Sequence, residues 1–219
     1  MGDILARHLS NGSSRAALCR RSLALALGTA AFIWCIAGCH RVQPLDTKPL
    51  DTAGMSYDSI QELKSLQITA PEVTEIAAAR QGGLSDSGCV QILKAYRSRN
   101  QAFDAGDTVA GLIRAQVREA TVLELAQLNQ LGLNAGELEA MRLAGLSDDI
   151  LLEVARHHAA GKPVLAGVSL ANLKNVGVRE GTLLELVRRG VPDSQAAAII
   201  SLRRRGASDA EILRKFGGS

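Results

Sequence analysis

Val117-Arg118-Glu119-Ala120-Thr121-Val122-Leu123-Glu124-Leu125 and Val178-Arg179-Glu180-Gly181-Thr182-Leu183-Leu184-Glu185-Leu186 are one phrase written twice, 61 positions apart, with seven of nine residues identical. Widened to twelve residues, the phrase becomes a frame. Its first place is usually Leu, its fifth favours Gly, its sixth and eleventh are apolar, and its seventh favours Ser, Thr or Asn. Nine copies fit, starting at Leu50, Leu63, Ala79, Leu112, Leu128, Met141, Leu173, Leu186 and Leu202. The fifth place reads Gly54, Gln67, Gly83, Gln116, Gly132, Gly145, Gly177, Gly190 and Gly206.

Each place has a physical task. A Gly just past a helix takes the left-handed conformation that closes the last turn. The apolar residue after it packs back on the helix just ended and forward on the next. A Ser, Thr or Asn such as Ser56, Thr69, Ser85, Asn134, Ser147 or Ser208 caps the new helix, worth on the order of 1 kcal/mol. An acid follows in every copy, among them Asp58, Glu72, Asp86, Glu119, Glu137, Asp148, Glu180, Asp193 and Asp209, where the positive end of a helix dipole favours it. The frame is therefore a helix–tight turn–helix joint, and the chain is an all-α array of short helices.

The joints group in threes at a higher period of 61–62 residues. Gly83-Leu84-Ser85-Asp86, Gly145-Leu146-Ser147-Asp148 and Gly206-Ala207-Ser208-Asp209 each mark the third joint of a group. A fixed period of this size reads as stacked supersecondary units sharing one core. It predicts three repeats of about four helices, near 49–106, 107–167 and 168–219, arranged as a solenoid or a compact bundle. Helices are expected near 57–66, 71–81 and 86–97, then 107–115, 119–131, 135–144 and 148–160, then 169–175, 180–188, 193–205 and 209–216. Little helix is expected before Ser56. Residues 98–107 and 157–167 are loops one period apart, at the same edge of the array, with Pro163 and flanking Gly in the second.

Ahead of the repeats the composition changes. Residues 1–22 are polar and basic, and residues 23–38 are apolar and uncharged, at 16 residues too short for a span of roughly 20. A basic region, a short apolar region and small residues before a break form a secretory signal. The break is Ile36-Ala37-Gly38-Cys39. It resembles the lipobox of bacterial lipoproteins, with Ile where Leu is commoner. The resemblance implies cleavage between Gly38 and Cys39, acylation of Cys39, and anchoring by two or three acyl chains at about 0.8 kcal/mol per buried methylene. Residues 39–48 then form a tether. His40, where an Asp would imply inner-membrane retention in that family, implies outer-membrane sorting. Arg20-Arg21-Ser22-Leu23 resembles a twin-arginine export motif, although paired basic residues before an apolar run are common and ordinary export is the better reading. The repeat body resembles that of other helical-repeat lipoproteins, which implies no mechanism.

Charge and cysteine content agree with this division. Of 25 basic and 22 acidic side chains, four basic and one acidic fall in residues 1–38, leaving 21 of each beyond them. A balanced body argues against a phosphate-tracking surface. Cys19 and Cys35 leave with the signal and Cys39 is lipidated, so Cys89 stands alone and no intramolecular disulfide forms. Aromatics at 3% argue against an aromatic-anchored pocket. His157-His158 lacks ligand spacing and reads as a solvated helix end. Arg203-Arg204-Arg205, Arg188-Arg189 and Arg214-Lys215 make the last repeat locally basic, either as a solvated face or as a patch for lipid headgroups or an anionic polymer.

No nucleophile elbow, zinc-protease motif or phosphate loop occurs, so no enzyme, cofactor or metal is expected. The function predicted is a structural or protein-binding scaffold in the bacterial envelope, with a membrane and an envelope protein as partners. The alternative is a cytoplasmic regulatory or nucleic-acid module of helix-turn-helix or helix-hairpin-helix type, for which Leu170–Val178 has a faint look without its paired glycines.

Overall fold

The computed structural model describes residues 45–132 and 135–216. Gly38, Cys39, His40 and the whole signal segment lie outside the described residues, as does the cap position Asn134. The described chain is all-α, with short helices joined by turns. The first repeat holds α1 (Lys48–Thr52), α2 (Tyr57–Ser65), α3 (Ala70–Gln81) and α4 (Asp86–Ser98). The second holds α5 (Gly106–Arg114), α6 (Glu119–Gln127), α7 (Ala135–Leu143) and α8 (Asp148–Ala159). The third holds α9 (Gly167–Asn175), α10 (Glu180–Arg188), α11 (Ala196–Arg204) and α12 (Asp209–Phe216), with a 3-10 turn at Asp193–Gln195 leading into α11. Helix thus begins earlier than Ser56. Pro49 stands in the first turn of α1, where its missing N–H costs nothing, and Leu50 is wholly buried.

Every helix from α1 to α11 ends in the same way. The residue two past the last full turn is left-handed: Gly54, Gln67, Gly83, Asn100, Gln116, Asn129, Gly145, Gly161, Gly177, Gly190 and Gly206. Its N–H bonds back three residues and the next N–H bonds back five, as in Gly83 to Arg80 and Leu84 to Ala79. This is the Schellman closure. Three of these joints correct the sequence reading. The left-handed residue after α6 is Asn129, not Gly132, so α6 ends at Gln127. Asn100 and Gly161 add joints after α4 and α8. The first two repeats therefore contribute four joints each rather than three, and the third shows three among the described residues. Asn tolerates positive φ better than most side chains, which is why Asn100 and Asn129 serve where the frame looked for Gly.

Alternate helices pack together: α1 on α3, α3 on α5, and so on to α11, and α2 on α4 through to α12. The described chain is thus two rows of helices, an odd row and an even row, enclosing one apolar core that runs from Leu50 to Ile212. The long connections are not projecting loops. Phe103 and Leu165 are buried within them, and Phe103 stacks edge-on against Tyr96 with centroids 5.2 Å apart.

Candidate functional site

The residues singled out by sequence as cap acids turn out to do a second job. In the even row, the first residue of one helix accepts the N–H of the cap residue of the helix before it in that row. Asp86 takes Ser56 N–H at 2.8 Å, Glu119 takes Ser85 at 3.1 Å, Asp148 takes Arg118 at 3.0 Å, Glu180 takes Ser147 at 2.6 Å and Asp209 takes Arg179 at 3.5 Å. Orphan donors of one helix are thus satisfied by the next.

A cation six residues earlier completes four of these joints. Arg80, Arg142, Lys174 and Arg203 face Asp86, Asp148, Glu180 and Asp209 at 2.7, 3.7, 3.5 and 3.7 Å. Each also donates to the carbonyl of the left-handed residue in the preceding odd helix, namely Gly54, Gln116, Gly145 and Gly177. The α5–α6 joint carries Ile113 at that place and lacks the cation. Asp86, Asp148 and Glu180 are all held below the ordinary carboxylate range. For Asp86 and Asp148 burial alone would push the pKa up, and the N–H donors and the guanidinium groups of Arg80 or Arg118 outweigh it. For Glu180 the bonds to Ser147 dominate. These acids are committed to structure.

Among the described residues the most buried charge is Glu72. Its side chain is 1% exposed and forms a two-bonded pair with Arg97, at 2.8 and 2.5 Å. It also accepts the N–H of Thr69 at 2.9 Å and of Phe103 at 3.0 Å. Arg97 in turn reaches the carbonyls of Leu66 and Gln67, both at 3.1 Å. This knot ties the end of α2, the start of α3, the end of α4 and the 99–105 connection together.

His157 departs from a solvated reading. It is 8% exposed, and its Nδ1 lies 3.3 Å from the Pro163 carbonyl, which makes that nitrogen the donor. His158 lies 3.3 Å from Glu137. Among the described residues no group of three or more His, Cys, Asp or Glu side chains is arranged to hold a metal ion, and no helix is long and apolar enough to cross a membrane. Cys89 is wholly buried, and burial pushes its thiol up to about 12. Peptide mapping after iodoacetamide at pH 8 is expected to find Cys89 unmodified in the native protein and alkylated after denaturation. Labelling of the native thiol at the denatured rate would contradict this packing.

Two surface features remain. A groove of about 560 Å³ runs between α5 and α7 under Leu143, which is 80% exposed. At the matching place the other odd helices carry Thr52, Gln81, Arg114, Asn175 and Arg204. A second groove, of about 570 Å³, lies between α11 and α12 and is walled by Arg205, Arg214 and Lys215. No family model, curated protein or solved structure matches the chain.

Proposed function

We propose that the protein is an exported lipoprotein, held by acyl chains on Cys39 to the outer membrane, whose helical body is a non-catalytic scaffold for an envelope protein. The observation that carries this reading is Ile36-Ala37-Gly38-Cys39 at the end of an uncharged apolar stretch of signal-peptide length. Two features of the body support it. The ionised side chains of the joints are consumed in holding helix to helix, as in a scaffold. The two-row array also offers an extended, repetitive face of the kind that helical solenoids use to hold partners. Nucleic acid is not assigned as a partner, because basic and acidic side chains balance beyond residue 38.

Intact-mass analysis and membrane fractionation of the wild type beside Cys39→Ala test the anchor. The wild type is expected to begin at Cys39, to carry added acyl mass and to sediment with membranes. The variant is expected to lose both the cleavage and the added mass. A full-length, unmodified, soluble wild type would refute the lipoprotein reading and favour a cytoplasmic module.

A further inference from the structure

Lys215 breaks a rule that the even row otherwise keeps. The residue six past the start of each even helix is Leu63, Ile92, Leu125, Val154 and Leu186, all at most 1% exposed. In α12 that place is Lys215, and it is exposed. The place before it carries Glu62, Gln91, Glu124, Glu153 and Glu185 in the earlier helices, and Arg214 in α12. The odd row changes in step. The pair just before the left-handed residue is Thr52-Ala53, Gln81-Gly82, Arg114-Ala115, Leu143-Ala144 and Asn175-Val176, and then Arg204-Arg205.

Arg205, Arg214 and Lys215 line the groove between α11 and α12, and Arg204 adjoins Arg205 in the chain. Here positive charge is in excess, with three cations and one acid lining the groove. The one acid lining the groove, Glu211, is occupied by its own cap residue, accepting the Ser208 N–H at 2.7 Å and hydroxyl at 2.9 Å. Asp209 is taken by Arg179 and Arg203. Among the described residues, none of Arg204, Arg205, Arg214 and Lys215 makes an ion pair with an acid, and all four are exposed. Four exposed cations without an ion pair therefore gather near this end of a body whose charges balance only when they are counted. Beside the bonds from Ser208, the Arg214 charge helps to hold the Glu211 carboxyl below its ordinary range.

We propose that this end face binds the phosphates of an anionic lipid surface. Three of these cations line one groove, whereas other exposed cations without an ion pair, Lys64, Arg114, Lys162 and Arg188, lie apart from it along the rows. The cluster suits a headgroup layer met end-on more than a polymer tracked along the body. Near such a surface each cation strengthens binding roughly fivefold. The inference rests on the described body and does not depend on Cys39.

The test uses the full chain, in phosphatidylcholine nanodiscs if it purifies from membranes and free if it purifies as a soluble protein. Acceptor vesicles of phosphatidylcholine, with or without about one third phosphatidylglycerol, are floated after mixing. The wild type is expected to float with anionic acceptors only. Arg204→Gln/Arg205→Gln/Arg214→Gln/Lys215→Gln is expected to lose binding by more than about a hundredfold, with an unchanged melting temperature because all four side chains are exposed. If that variant melts early, Arg214→Gln and Lys215→Gln singly are each expected to lose roughly fivefold. Equal flotation of wild type and variant would overturn the proposal. So would tight binding of inorganic tripolyphosphate without vesicle binding, which would assign the face to a soluble phosphate ligand. Salt-sensitive self-association without vesicle binding would assign it to a second copy and would overturn it too. Failure of the Cys39 reading shows in the intact mass alone and leaves the comparison of acceptors in place.

Discussion

Glu72→Gln is expected to lower stability at pH 7 by about 3 kcal/mol and to erase most of the acid sensitivity of the first repeat. Glu72 is buried, and burial alone would raise its pKa. The Arg97 guanidinium and the N–H groups of Phe103 and Thr69 more than offset this and bring it down to about 2 from 4.5. A carboxylate whose folded pKa is depressed contributes stability above its unfolded pKa and loses it as pH falls through the folded one. The contribution of Glu72 is thus complete above about pH 5 and fades between pH 4.5 and pH 2. At neutral pH the variant is expected to melt roughly 6–12 °C below the wild type, by the usual scaling for a body of this size. Near pH 2.5 the gap should have largely closed. Denaturant titrations of both proteins from pH 7 to pH 2.5 measure this directly. Curves that stay parallel across the range would mean that the Glu72–Arg97 knot is neutral and that its geometry overstates its strength.

That knot shows where the sequence could be read and where it could not. Thr69 and Glu72 were legible as a cap and a first-turn acid, because both partners lie within one turn. Arg97 and Phe103 were not, because they come from 25 and 31 residues away. The same division holds along the array. Gly83-Leu84-Ser85-Asp86 announces its joint locally, whereas the bond from Ser147 N–H to Glu180 spans 33 residues. A clue was nevertheless present, since cations six residues before the acid recur at Arg80, Arg142, Lys174 and Arg203. The frame slipped at Asn129 because Gly132 offered a more familiar left-handed residue three positions later. It missed Asn100 and Gly161 because the extended connections behind them carry no capping hydroxyl at the expected place. The lipobox was legible as text alone, since its meaning depends on an export apparatus and not on a fold. The end face was visible only as a basic cluster. Its excess of positive charge shows only in the fold, where Arg205, Arg214 and Lys215 line one groove with Glu211 as the one acid.

Gly106→Ala and Gly111→Ala lie five residues apart on α5 and are expected to act in opposite directions. Helix propensity alone favours Ala at Gly111, an interior position, by roughly 0.5–1 kcal/mol, and favours it less at Gly106, which opens α5. At Gly111 nothing stands within 4 Å of an added Cβ, so the variant is expected to gain up to about 1 kcal/mol. At Gly106 the added Cβ would lie 2.2 Å from the Glu75 carbonyl oxygen and 2.7 Å from its carbon. Those are backbone atoms of α3 and cannot rotate away. The two helices would have to part, stretching the 2.7 Å bond from Gly106 N–H to Glu75 and opening the core around Ile76 and Val109, both wholly buried. Overpacking of this kind costs about 3 kcal/mol. Gly167, one period later, repeats the arrangement: its N–H donates to Glu137 and its Cβ would lie 2.8 Å from the Glu137 carbonyl oxygen. The recurrence makes close approach at the start of α5 and α9 a property of the repeat. Thermal melts of the two α5 variants decide the matter. A Gly106→Ala protein as stable as wild type would mean that α3 and α5 stand farther apart than the close contact described here, while a Gly111→Ala protein that melts early would mean that the α5–α7 groove is filled.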